Sequence, residues 1–181
     1  MNDHLFPGIT DIHTHIPSPG AICSIDLFTQ SDKLPDEGMM SVGFHPWHSQ
    51  QPPTEEMWTR FEELARDERV VAIGECGIDM MRGGELFRQI EIFARQAEVA
   101  ERVGKPLIIH NVKAQQQLIG MKKEMKPTVP WIIHGFRGKP TVARMFLDAG
   151  FYLSFGNKYN PQSYEMTPPE RRLTETDRTE E

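Results

Sequence analysis

Cysteine is scarce. Cys23 and Cys76 are the only two in 181 residues, and they form no C-x-x-C pair. That excludes a disulfide framework and a zinc site built on thiolates, and it reads as reduced thiols in a cytoplasmic protein. Long apolar runs are missing as well. No stretch approaches the ~20 residues that cross a bilayer, and the first eight residues show no basic segment followed by an apolar one, so neither a membrane span nor a signal peptide is expected. Positive charge is in deficit: 20 Lys and Arg against 26 Asp and Glu give a formal net charge of -6. A chain-wide basic footprint for nucleic acid is thereby excluded, and any attraction to phosphate has to come from a local patch. Internal repeats, low-complexity tracts and linkers are also absent, which leaves a single domain over residues 1–181.

Hydrophobic residues make up 38% and charged residues 25%, the composition of an ordinary globular protein. Eight short apolar runs follow one another at 9–12, 21–27, 39–44, 70–74, 106–109, 131–133, 151–155 and 172–176, most of them closing on a polar or charged residue. Helical patterns lie between several of them. Leu86, Ile90, Phe93, Ala97, Ala100 and Val103 recur at spacings of three and four, with Gly104 and Pro106 as the stop. Residues 55–66, 114–126 and 140–148 read as shorter helices, the last with Pro140 at its start and Gly150 beyond its end. Strands alternating with helices argue for parallel pairing, and eight of them for a closed barrel. The short gap after His15 and the broken stretch 29–38 around Pro35 leave no room for helices there, and none follows 172–176. The expected fold is α/β: a compact, irregular TIM-type (β/α)8 barrel lacking some outer helices, smaller than the ~250 residues typical of such barrels.

In such a barrel the C-terminal strand ends converge on one mouth. The residues predicted there are His13, His15, His45, Glu75, His110, His134 and Asp177; of the seven histidines, only His4 and His48 fall outside the pattern. Histidines and carboxylates without thiolate suit zinc, manganese, iron, nickel or magnesium. The six candidate ligands among those residues, His13, His15, Glu75, His110, His134 and Asp177, exceed what one tetrahedral ion needs, so two divalent ions roughly 3.5 to 4 Å apart are expected, with Glu75 bridging them. Lys113 and Arg137, each three residues beyond a site histidine, are placed either to contact a phosphate or to stand as solvated charges on helix-start loops. Cys76 reads as a small buried hydrophobe, Trp47 and Trp131 as packing residues, and Glu180 and Glu181 as a solvated tail. The Lys158-Tyr159-Asn160 segment either lines the mouth and stacks on a base or is an ordinary loop.

The runs DIHTH (11–15), GFHP (43–46), GECGID (74–79), IIH (108–110), IIHGFRG (132–138) and ETD (175–177) together resemble the TatD family of metal-dependent hydrolases, in that family's order. The resemblance implies an amidohydrolase-like barrel with deoxyribonuclease activity. It implies that His13, His15 and Asp177 hold one ion, that His110 and His134 hold the second and that Glu75 bridges. Asp177 would also serve as general base, and His45 would face substrate at the site's edge. Members of that family are longer, carry helices after the first strand and after ETD, and often have Arg where Lys113 stands; an uncovered barrel wall here would either be covered by a neighbouring subunit, in a homo-oligomer, or leave the last strand weakly held. Three functions stay open: a two-metal phosphodiesterase acting on DNA or a small phosphodiester, a metal-dependent amide, ester or lactone hydrolase of a small molecule, and a non-catalytic metal-stabilised binding protein.

Overall fold

The computed structural model describes residues 4–179, so the expectations for the first three residues and for Glu180 and Glu181 lie outside the described residues. Eight strands, β1 (Asp11–Thr14), β2 (Ala21–Asp26), β3 (Met39–Gly43), β4 (Val70–Asp79), β5 (Leu107–Val112), β6 (Trp131–Ile133), β7 (Tyr152–Phe155) and β8 (Arg172–Thr174), form one sheet in chain order. Every neighbouring pair is parallel. The sheet curls into a nearly closed TIM-type barrel. Its seam is made by chain just past β8: Asp177 N–H donates to His13 O at 2.9 Å and His15 N–H to Arg178 O at 2.8 Å. Asp11 locks it, Oδ1 accepting from Thr176 N–H at 3.0 Å and Oδ2 from the Thr176 hydroxyl.

Five helices wrap the outside: α1 (Glu55–Ala65), α2 (Leu86–Val103), α3 (Gln115–Met125), α4 (Pro140–Asp148) and α5 (Pro161–Met166). None separates β1 from β2 or β2 from β3, as the short connections there dictate, and among the described residues no helix follows β8. No described helix is long and apolar enough to cross a membrane. The large core cluster lies between sheet and helices, with Phe61, Phe93 and Phe146 of α1, α2 and α4 against Val42, Ile73, Ile109 and Leu153. A smaller cluster of Ile12, Ile22, Ala72, Ile108, Ile132 and Leu173, one from each of six strands, fills the barrel itself. His110 and His134 stand two residues beyond Ile108 and Ile132, so strand alternation aims them over that inner floor.

Two elements differ from the sequence reading. Strand β4 does not stop at Gly74 but runs to Asp79, so Glu75 sits mid-strand. Its glycines act as irregularities, not as stops: Gly74 (φ 139°) and Gly77 (φ 143°) adopt backbone that L side chains avoid, and a Cβ on either would strike the carbonyl of Ile108 or His110 on β5. Helix α5 has no counterpart in the sequence reading, because its six residues leave no room for an apolar period. Asn160 starts it, its side chain accepting from Ser163 N–H at 3.1 Å.

Candidate metal centre

Glu75 is the hub. It is buried, and three imidazole nitrogens surround its Oε1: His134 Nε2 at 2.8 Å, His45 Nε2 at 2.9 Å and His110 Nδ1 at 2.9 Å. Its Oε2 faces the other pair, His13 Nε2 at 3.2 Å and His15 Nε2 at 3.8 Å. Asp177 Oδ1 closes that side, 3.5 Å from His13 Nε2 and 3.4 Å from His15 Nε2. The structure thus brings all seven strand-end residues together, and the two oxygens of Glu75 divide them into two sets. His45, expected at the edge, sits against the hub.

The side chains behind the histidines decide which nitrogen carries a proton. Asp79 Oδ2 lies 2.9 Å from His110 Nε2, and Glu175 Oε1 lies 3.2 Å from His134 Nδ1. A carboxylate only accepts, so each outward nitrogen is a donor; the inward nitrogens face Glu75 Oε1, also an acceptor, and present lone pairs only where a cation takes the place of their protons. His45 has the reverse arrangement: its Nδ1 accepts from Trp47 N–H at 3.1 Å, which leaves the proton of the neutral ring on Nε2, aimed at Glu75. Asp79 is itself held by Trp47 Nε1–H at 2.7 Å and by the backbone N–H groups of Met81 and Arg82 at 2.8 and 3.0 Å. Gln89 of α2 clamps the backbone of Asp79 from both sides, and Ser154 holds Glu175 through its other oxygen. Asp79 and Glu175 escaped the sequence reading although both stand inside its motifs, four residues after Glu75 and two before Asp177.

The charges are strongly coupled. Burial opposes ionisation of Glu75, but the imidazoles of His134, His13 and His110 hold it well below the ordinary carboxylate range. Burial and the neighbouring His134 push His13 down, and the carboxylates of Glu75 and Asp177 more than offset them, raising it to about 9. His134 is raised well above its ordinary value, burial being outweighed by Glu75 and Glu175. Asp177 is held low against its burial by His13 and His15.

A cation fits this set. Both nitrogens of fully buried His13 lack a hydrogen-bond partner, although Nε2 lies within ion-pair distance of two carboxylates. A buried polar atom left this way has a cost that coordination removes. Four groups of three donors, each within 4.8 Å of one another, could hold an ion: His13, His15 and Asp177; His13, Glu75 and His134; His45, Glu75 and His110; His134, Glu175 and Asp177.

The centre lies at the base of a cleft of about 750 Å³. Exposed Lys113 and Arg137 line it, Lys113 in left-handed backbone at φ 55°. The segment at 158–160 does not line it among the described residues; Tyr159 packs on Phe155 and Tyr164 instead. Cys76 and Trp131 are fully buried, and burial pushes the Cys76 thiol well up, which removes it as a nucleophile.

The sequence is 36% identical over 146 residues to the uncharacterized metal-dependent hydrolase YabD of Bacillus subtilis, covering 76% of this chain and 57% of that protein. It is 31% identical over 168 residues to the uncharacterized metal-dependent hydrolase YcfH of Escherichia coli K12, covering 88% and 61%. It is 29% identical over 153 residues to a protein of Edwardsiella piscicida named 3'-5' ssDNA/RNA exonuclease TatD, covering 79% and 58%. The chain therefore spans little more than half the length of these relatives. The fold matches the crystal structure of the TatD homologue YjjV from Escherichia coli K12 with a TM-score of 0.76 at 19% identity, over 93% of this chain and 78% of that one. The pattern of the family described as TatD related DNase matches residues 23–178, and the chain belongs to that family.

Proposed function

We propose that this protein is a metal-dependent phosphodiesterase acting on nucleic acid, a deoxyribonuclease that hydrolyses its substrate with water. The observation that carries the reading is the unpartnered, fully buried His13 facing Glu75 and Asp177, two carboxylates that line a cleft together with Lys113 and Arg137. In this reading His13, His15 and Asp177 would hold one divalent ion, His110 and His134 would hold a second, and Glu75 would be shared between the two sets. Divalent ions there supply a Lewis acid that polarises the phosphoryl oxygen and acidifies the attacking water.

The chain's own residues do the rest. Asp79 and Glu175 fix the rings of His110 and His134 so that lone pairs point inward. Asp177, kept as carboxylate, accepts the proton of the attacking water. His45 turns its Nε2–H into the site as a donor to a substrate oxygen, and Lys113 and Arg137 offset the charge that grows on the phosphoryl group. Arg137 can grip two phosphate oxygens at once, whereas Lys113 acts as a point charge.

The test is release of nucleotides from single-stranded DNA with zinc, manganese, magnesium and nickel in turn. Activity with at least one ion, lost on chelation and in Glu75→Ala, is the expected result. Full activity in a chelator-treated sample, or cleavage confined to amides and lactones in a parallel panel, overturns the reading.

A further inference from the structure

His48 is a histidine that the strand-end pattern leaves aside, yet it lines the cleft. It is the last residue of the 3-10 turn Pro46–His48 that carries the chain on from His45, and the two rings stand 6.0 Å apart. Its Nδ1 lies 2.7 Å from Oδ2 of Asp26, the last residue of β2. Asp26 is anchored independently: Oδ1 accepts from Phe28 N–H and His45 N–H, both at 3.1 Å, and Oδ2 accepts from the Thr29 hydroxyl at 3.3 Å. The ring also packs edge-on to Phe28. An exposed side chain, 47% accessible, is thus held in one orientation by a carboxylate built into a strand end.

The carboxylate makes Nδ1 the donor, so the neutral ring presents a lone pair at Nε2. Nε2 has no partner among the described residues, and the ring, 6.0 Å from that of His45, lines the cleft that holds the centre. What it lacks is a hydrogen-bond donor. A deoxyribonucleotide strand carries sugar hydroxyls at its ends only, since every internal one is esterified. We propose that His48 Nε2 accepts a hydrogen bond from a strand-terminal sugar hydroxyl of the nucleotide held in the cleft, with Asp26 as its positioning residue. Seated this way, a strand end lies next to the centre, and internal segments, which have no hydroxyl to offer, lose the contact. The inference rests on the phosphodiesterase reading for its substrate class and adds selection of strand ends.

Equilibrium binding separates it from that reading. The metal-loaded full chain is titrated with phosphorothioate-linked single-stranded oligonucleotides that end in hydroxyls, or lack the 3'-hydroxyl, or lack the 5'-hydroxyl, and binding is followed by fluorescence anisotropy. Loss of one of the two hydroxyls is expected to weaken binding about two- to tenfold, the range for one hydrogen bond. Which of the two matters assigns the end. In His48→Ala the discrimination is expected to vanish. Asp26→Asn keeps the Oδ1 contacts but places an amide nitrogen against the His48 donor, and it is expected to lose the discrimination while His48 remains. Unaltered melting temperatures establish that both variants fold. Equal binding of all three oligonucleotides by the native chain, no binding at all, or discrimination that survives in both variants overturns the proposal. Hydrolysis of bis(4-nitrophenyl) phosphate by the native chain, a diester without sugar, is measured alongside: its absence would tell against the phosphodiesterase reading, whatever the binding result.

Discussion

Asp79 and Glu175 each face the outward nitrogen of a site histidine, and their effect is readable one substitution at a time. Asp79→Asn keeps the size of the side chain and removes the charge behind His110; metal affinity measured by calorimetry is expected to fall about 10- to 100-fold. His13 gives a second readout. Its folded value of about 9 lies above the ordinary 6.5, so its proton stabilises the metal-free protein fully below pH 6.5, and that contribution is lost as pH rises through 9. Glu75 and Asp177 act in the opposite sense: held below the ordinary carboxylate range, they stabilise above it and lose that contribution as pH falls through their folded values. The melting temperature of chelated protein is therefore expected to drop between pH 6.5 and 9. Because an ion displaces the proton on His13, metal binding at pH 7 is expected to release protons, seen as a calorimetric heat that changes with the buffer's ionisation enthalpy. A heat independent of buffer would contradict the protonated state of His13. At this scale the sequence was informative about which residues stand at strand ends and silent about what stands behind them. A carboxylate's direction depends on the backbone that carries it, and neither the four-residue offset of Asp79 nor the two-residue offset of Glu175 reveals it.

Among the elements, β4 has the most consequence for the site. Its two glycines let backbone pass close to β5 while the strand continues from Glu75 to Asp79, so hub and positioning carboxylate share one rigid segment. Gly77→Ala would add a Cβ against the His110 carbonyl and force left-handed backbone on alanine. A loss of about 1–3 kcal/mol in chemical denaturation is expected, with metal affinity falling as well because the neighbour of His110 moves. The sequence supports the strand but not its length, since glycine after an apolar run signals a turn as readily as a close approach. The helices were legible where an apolar face repeats, as in α2, and α5 was not, because six residues hold no period. The two buried glutamines of α2 illustrate the limit: Gln89 and Gln96 occupy the inward face as polar residues and tie α2 to Asp79 and to Phe44 N–H.

In the whole molecule the barrel is shut by the same segment that carries Asp177. Asp11 accepts from Thr176 and from the His13 N–H at 3.2 Å, so one buried carboxylate fastens seam and ligand strand together. Asp11→Ala is expected to cost about 1–3 kcal/mol through the donors left unpaired. It is also expected to increase protease cleavage within 175–179, an effect that saturating divalent metal should reverse by mass action. If cleavage is unchanged with and without metal, the seam does not depend on this lock. Eight strands, their order and a closed barrel follow from the sequence, whereas the bonds that make the seam do not, because they join residues 165 positions apart. That separation bears on how the candidate centre is assembled during synthesis. His13 and His15 emerge early, but the last donor arrives only when the seam segment does, and long-range closure is slow compared with local helix formation. A nascent chain short of that segment has most of a barrel but lacks Asp177 and Glu175, so the candidate metal centre is complete only once the seam has formed.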